Sequence, residues 1–478
     1  MAVQITLFAV VGIYAVWTQR YLYADGSHFL LNILESRAVA DFYPARYFAH
    51  LLTQLPAVFV LRYLGCRDAG LVGATYGATL FLLPLMGLVL TWWAARRADA
   101  EYLAYPLVSF SILYLDVSFF IISEIHIAVS LFWPILYLLI FSKRLNLVRS
   151  ASLICMAVCI TRTYECYLLL AWPLAFAAIR RGKASWTQSS YMDFMTCVIC
   201  LLLFVTAFSI SVNATVFPRD PEMRTNFIIS GLLHLVYPPV WFSLLTLAGV
   251  FKYVFSHGRE RTSQLVTNLT CGCGLFVTMM PIVGFVAPPL QYIARIQGLY
   301  VPFLLGIVVT LLSDKRRTKF SCSPERHFKL WRTTAGACAV ATIFQLGSTC
   351  RWDNYRSVLL RELGEHRGVI GFNQSAISDQ VFERAAHTAG RSALWKEFLQ
   401  APRPFLRRVE LGQFNWGWAM PSLCVALSAT NFGSVSTIIC APESTGWQPF
   451  DPRVPGAIPD LGEYGVSTDV VADVNENK

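Results

Sequence analysis

Charge is what this chain has least of. Only 14% of its 478 residues are Asp, Glu, Lys or Arg, against 55% hydrophobic and 14% aromatic residues and a mean hydropathy of +0.50. A soluble domain carries about 25% charged residues, so the deficit points to lipid as the solvent for much of the chain. Also missing are a Walker loop, a paired metal-cysteine motif and a serine-nucleophile elbow, which excludes the commonest nucleotide, zinc and hydrolase sites. There is no internal repeat of the kind that gives a transporter two symmetric halves. The thirteen cysteines lack matching histidines: Cys155, Cys159, Cys166, Cys197, Cys200, Cys271, Cys273 and Cys338 fall in apolar stretches and read as small apolar side chains. Cys350, Cys424 and Cys440 leave room for one disulfide in the C-terminal portion. The first apolar run has neither a basic lead-in nor a small-residue cleavage site, and reads as a retained span rather than a signal peptide.

Long apolar runs are abundant. Val3 to Trp17, Ser123 to Phe141 and Leu299 to Leu312 are among several that contain at most one or two ionisable groups. Such runs approach the length needed to cross a hydrocarbon core, and backbone hydrogen bonding in lipid makes them helices. The expected fold is therefore an all-α polytopic membrane protein of about 11–13 transmembrane or re-entrant helices. Spans are expected at 2–18, 47–64, 103–121, 124–142, 193–212, 226–255, 265–287, 297–313 and 333–349. The 26-residue stretch 70–95 contains Pro84 and reads either as one tilted helix or as two short helices turning inside the protein. The stretch 151–178 has Arg162 and Glu165 at its centre and basic residues on both flanks, which predicts a hairpin with its apex at Thr161 to Glu165.

Net charge is +10, yet the last 38 residues hold seven acids against two bases, so the rest of the chain is more basic still. That excess sits in short clusters beside apolar runs: Arg96/Arg97, Lys143/Arg144/Arg149, Arg180/Arg181/Lys183, Arg259/Arg261 and Lys315/Arg316/Arg317/Lys319. Cytoplasmic retention of such loops accounts for the pattern, and a nucleic-acid partner is not expected. Treating 70–95 as a hairpin, like 151–178, puts the amino terminus and all five clusters on the cytoplasmic side and the region after Arg351 outside. Three units follow: a multi-span domain over 1–349, a small extracytoplasmic domain over 350–440, and a Pro-rich acidic tail over 441–478 that reads as disordered.

This topology places Asp25, His28, Asp41, Arg46, Glu124, His126, Arg162, Glu165, Arg219, Asp220, Glu222 and Arg295 on the extracytoplasmic face. Ionisable groups near membrane depth are costly and tend to pair or to line a polar cavity. Asp25 directly follows the first span and precedes Gly26, so it could serve as a general base, support a divalent cation, or simply cap the next helix. Glu124 and His126 open a span and read either as a capping cluster or as part of a site. Arg162 either pairs with Glu165 inside the hairpin or grips a phosphate. Arg295, after Pro288-Pro289, reads as a second anion contact or a snorkelling anchor. His234 reads as an interior histidine at a kink.

The arrangement resembles the GT-C superfamily of membrane glycosyltransferases, which use polyprenyl-phosphate-linked sugars. The matching pieces are Asp25 in Tyr23-Ala24-Asp25-Gly26, the segment His28 to Phe48 with Tyr43-Pro44-Ala45-Arg46-Tyr47, the short-helix stretches, and the portion after Arg351. The resemblance implies a lipid-phosphate-linked sugar as donor and an extracytoplasmic acceptor, in a protein of the cell envelope such as a bacterial inner membrane. It implies Asp25 as the catalytic carboxylate and Arg162 or Arg295 as donor-phosphate ligands; the co-sided Glu124 is added as a second catalytic candidate, and His126, Glu165 and Arg46 as supporting groups. Better-known members often carry two adjacent acids where this chain has Asp25-Gly26, which leaves the role of a divalent cation open. A transporter or flippase of a lipid-linked or anionic solute is the alternative that the same residues allow.

Overall fold

The computed structural model describes residues 2–22, 29–30, 33, 36–39, 44–66, 69–95, 100–117, 124–217, 290–313, 331–332, 334–343, 345–347, 349–350, 353, 357, 368–371 and 437–440. These are mostly helical. In chain order they form α1 (Ala2–Trp17), α2 (Tyr47–Arg62), α3 (Ala69–Ala95), α4 (Ala104–Val117), α5 (Glu124–Phe141), α6 (Leu147–Ile160), α7 (Tyr167–Thr187), α8 (Tyr191–Val216), α9 (Leu290–Ser313) and α10 (Thr334–Gly347). A short parallel pair, β1 (Gly368–Gly371) and β2 (Thr437–Cys440), lies in the C-terminal portion. Among the described residues, three helices are long and apolar enough to cross a membrane: Gly70–Ala95, Glu124–Phe141 and Tyr191–Val216, with mean hydropathies of 1.8, 1.9 and 2.5. The expected spans at 226–255 and 265–287, with His234, Arg219, Asp220 and Glu222, lie outside the described residues.

Burial separates the centre of the bundle from its rim. The apolar window of α5 is 83% buried, whereas that of α8 is only 33% buried, so α5 is the central post and α8 offers most of its surface outward. Around α5 pack Leu107, Phe110 and Leu113 of α4, Leu170 and Leu174 of α7, and Val308 and Val309 of α9. Close approach to α5 requires small residues. A Cβ on Gly87 of α3 would lie 2.3 Å from the Ser130 carbonyl oxygen, and one on Gly306 of α9 would lie 2.6 Å from the Phe132 ring. Backbone cannot rotate away as a side chain can, so Gly87 lets α3 seat against α5.

Contacts between helix ends sort the bundle into two ends. At the first, the hairpin apex between α6 and α7 meets the starts of α2 and α5, and the His126 ring joins the start of α5 to the Leu113 carbonyl near the end of α4 at 2.8 Å. At the second, Arg181 of α7 donates to the Leu139 and Ser142 carbonyls at 3.0 and 2.7 Å, closing the end of α5. Its neighbour Arg180 does the same for α9, reaching the Thr310 carbonyl at 2.7 Å. Asp193 binds Arg181 at 2.8 Å and accepts from the Leu145 backbone at 2.9 Å, and Arg149 stacks over Trp93. Arginine at a helix C-terminus satisfies carbonyls left without partners and opposes the negative end of the dipole.

Arg180, Arg181 and Lys183 are thus within α7 rather than in a loop. The hairpin over 151–178 is present, as α6 ends at Ile160 and α7 begins at Tyr167. The hairpin reading of 70–95 is overturned, since α3 is a single 27-residue helix that contains Pro84. Its direction follows from its neighbours: Tyr21, just after α1, packs on Gly73 and Gly77, while Phe81 and Leu82 lie against Gly12. α1 and α3 are antiparallel, and α3 runs from the apex end to the Arg149 end. α2 begins beside the apex and leads, through only six residues, to the start of α3 at that same end. The 47–64 segment is therefore a helix that starts and finishes at one end of the bundle, in place of the expected span.

These two departures cancel. A crossing at 47–64 followed by a hairpin at 70–95 would bring the chain to the same end of the bundle by Ala95 as the observed order, in which α2 stays at the apex end and α3 runs the length of the bundle. Among the thiols, Cys166, Cys197, Cys200 and Cys338 are buried and free as expected, whereas Cys155 is exposed and Cys159 half-buried; Cys350 is also a free thiol.

Candidate functional site

Arg46 is the centre of the apex end. It ends a single turn of 3-10 helix, Pro44–Arg46, and proline there fixes the backbone just before α2 begins. Its Nε lies 3.0 and 3.2 Å from the two carboxylate oxygens of Glu165, and one terminal nitrogen lies 3.3 Å from Glu124 Oε1. The guanidinium also sits over the Tyr164 ring, 5.0 Å from its centroid. Arg46 is 18% exposed and both glutamates are 14% exposed. Burial opposes the arginine's charge, but the coulombic pull of Glu124 and then of Glu165 outweighs it and raises the pKa well above the ordinary value.

Local structure explains why these three meet. Glu124 occupies the first turn of α5, where a carboxylate is favoured by the helix dipole. Glu165 sits in the non-helical turn between α6 and α7. The start of α2 is bolted to that turn by a 2.8 Å bond from the Phe48 amide to the Arg162 carbonyl, which satisfies one of the donors exposed at a helix start. Thr163 is buried, and its hydroxyl donates to the Cys159 carbonyl at 2.5 Å, shaping the end of α6.

The expected residues fall into three groups. Arg46, Glu124 and Glu165 are brought together, so the internal Arg162–Glu165 pairing gives way to Arg46–Glu165. Arg162 is exposed at the same apex, and among the described residues its guanidinium forms no ion pair. His126 is 4% exposed with its ring nitrogen bonded to backbone, a link between α4 and α5. Arg295 lies in the second turn of α9, far along the helix from Thr310, but its side chain is outside the described residues. Asp25, His28 and Asp41 are outside them too. The described residues flanking Asp25 are anchored: Tyr21 against α3, and Phe29 with its ring 4.9 Å from that of His50 in α2.

Two features at this end were missed from sequence. One is Tyr164, whose neighbours Arg162 and Glu165 drew attention first. The other is Arg20, 2% exposed, which donates at 2.7 Å to both the Gln345 side chain and the Thr349 hydroxyl and so fastens the end of α1 to the helical residues near 345. An arginine immediately after an apolar run was the available signal. No family model, curated protein or solved structure matches this chain.

As to a divalent cation, among the described residues there is no group of three or more His, Cys, Asp or Glu that could hold one. Glu124 and Glu165 already share a cation in Arg46, so their arrangement does not fit a metal site.

Proposed function

We propose that this protein is a GT-C-like membrane glycosyltransferase that moves a sugar from a polyprenyl-phosphate donor to an acceptor on the extracytoplasmic side. The observation that supports it is the clustering at one end of the bundle of Arg46, Glu124, Glu165 and the outward-facing Arg162, drawn from segments up to 119 residues apart. At the opposite end Arg180, Arg181 and Asp193 are taken up by helix carbonyls and each other, whereas the apex carries an exposed arginine, which suits chemistry at one membrane surface; a translocation path needs sites reachable from both sides. In the reaction, Asp25 takes the proton of an acceptor hydroxyl as its oxygen attacks the anomeric carbon. The bond from that carbon to the phosphate oxygen breaks, and polyprenyl phosphate leaves as an anion. Arg162 and Arg295 offset its growing charge by charge-assisted hydrogen bonds. Glu124 and Glu165 hold Arg46 and the apex in position.

The proposed orientation puts the basic clusters in the cytoplasm. α3 and α9 finish at the end opposite the apex, where Lys143 and Arg144 link α5 to α6 and Arg149 stands in the first turn of α6; in sequence, Arg96/Arg97 follow α3 and Lys315 to Lys319 follow α9. Compartment reporters fused after Arg97, Lys183 and Lys319 should all read cytoplasmic, and one after Asn373 should read extracytoplasmic. Agreement of all four on one side would overturn this orientation. For the reaction itself, the purified chain in detergent should release polyprenyl phosphate from radiolabelled polyprenyl-phosphate sugars and leave the label on an acceptor. Flux of labelled lipid across vesicles without any new glycosidic bond would replace the transferase with a transporter.

A further inference from the structure

We infer that Arg46 is the resident cation of the Glu124–Glu165 pair and that no divalent metal binds those two carboxylates, whatever reaction the apex end supports. The argument is spatial. A magnesium or manganese ion joined to both glutamates would need their oxygens at about 2.0–2.2 Å from one point with several further oxygens around it. That point is where the guanidinium stands, 3.0 and 3.2 Å from the Glu165 oxygens and 3.3 Å from Glu124. Nor is Arg46 placed to swing aside. Tyr164 lies against one face of its guanidinium, and its own backbone leads within two residues to Phe48, whose amide is fixed on the Arg162 carbonyl.

Chemistry points the same way. A guanidinium is permanently charged, planar and weakly hydrated, so it can bridge two carboxylates from different helices without the ordered water that magnesium retains. It also gives direction. Nε addresses Glu165 while the terminal nitrogen addresses Glu124, which fixes the apex relative to the first turn of α5 as a spherical ion would not. Arg46 is thereby a positioning residue of the apex.

Manganese binding by the purified full chain in detergent tests this without reference to turnover, with free Mn2+ followed by electron paramagnetic resonance and folding by thermal midpoint. The wild type and Glu124→Gln/Glu165→Gln should titrate alike. Arg46→Gln, which removes the guanidinium from both carboxylates but keeps an amide donor to aid folding, should gain a Mn2+ site and a midpoint that climbs with Mn2+ concentration. Adding the two glutamine substitutions to Arg46→Gln should abolish that gain. Mn2+ bound by the wild type and lost in the double variant would overturn the inference, as would a folded Arg46→Gln protein with no gain. A silent glycosyltransfer assay would overturn the proposed function and leave this result standing.

Discussion

Asp25→Asn is expected to cut turnover by about a hundredfold to ten-thousandfold, the usual cost of losing a general base. Asparagine matches aspartate in size and in its ability to cap a helix, so the fold should be retained. What disappears is the charge that accepts a proton. Donor binding should change less than the rate, because the proposed phosphate contacts come from Arg162 and Arg295. Steady-state kinetics with a labelled polyprenyl-phosphate sugar, beside the thermal midpoint of the same sample, separates the two effects. Normal turnover in a folded Asp25→Asn protein removes Asp25 from the chemistry. An unchanged midpoint with a lost rate is the expected result.

The break between α6 and α7 was legible in the sequence because charge within an apolar stretch and basic residues at both flanks are local signals. The same reasoning misplaced 47–64 and 70–95. Apolar length reports that a segment tolerates lipid or a protein interior, but not its direction. α2 reads as apolar in sequence, yet it is a 16-residue helix that buries His50, Thr53 and Gln54 on its packed face. α3 contains Pro84 without breaking. Proline removes one helix bond, and the neighbouring helices packed around it can hold the rest of the ladder together.

Pairing was the least legible feature. Arg162 and Glu165 are three residues apart and invite a local ion pair, but the turn between α6 and α7 is not helical there, and the rule for neighbours on one helix face does not apply. Arg46 reaches Glu165 across 119 residues and Glu124 across 78. Nothing in a single sequence announces such a contact. Arg180 and Arg181 show a related limit, since their charge was read as a loop address although both are helical and close the ends of α9 and α5.

Arg46→Met is expected to destabilise the protein by about 3–5 kcal/mol, because it removes the guanidinium that two partly buried carboxylates share. The side chain is 18% exposed, and residual solvent contact puts the effect toward the lower end of that range. Methionine fills much of the same volume, so a cavity contributes little and the charge imbalance dominates. The distinguishing test is the triple variant Arg46→Met/Glu124→Gln/Glu165→Gln. Replacing a whole buried ion network with uncharged groups is often close to neutral, so the triple variant should recover most of the loss. Thermal or denaturant unfolding of the four proteins (wild type, Arg46→Met, Glu124→Gln/Glu165→Gln and the triple variant) in one detergent measures the coupling. If the triple variant is as unstable as Arg46→Met alone, Arg46 stabilises the apex through packing on Tyr164 rather than through its two glutamates. Recovery would instead identify the ion network as what binds α2, α5 and the α6–α7 turn into one end of the bundle.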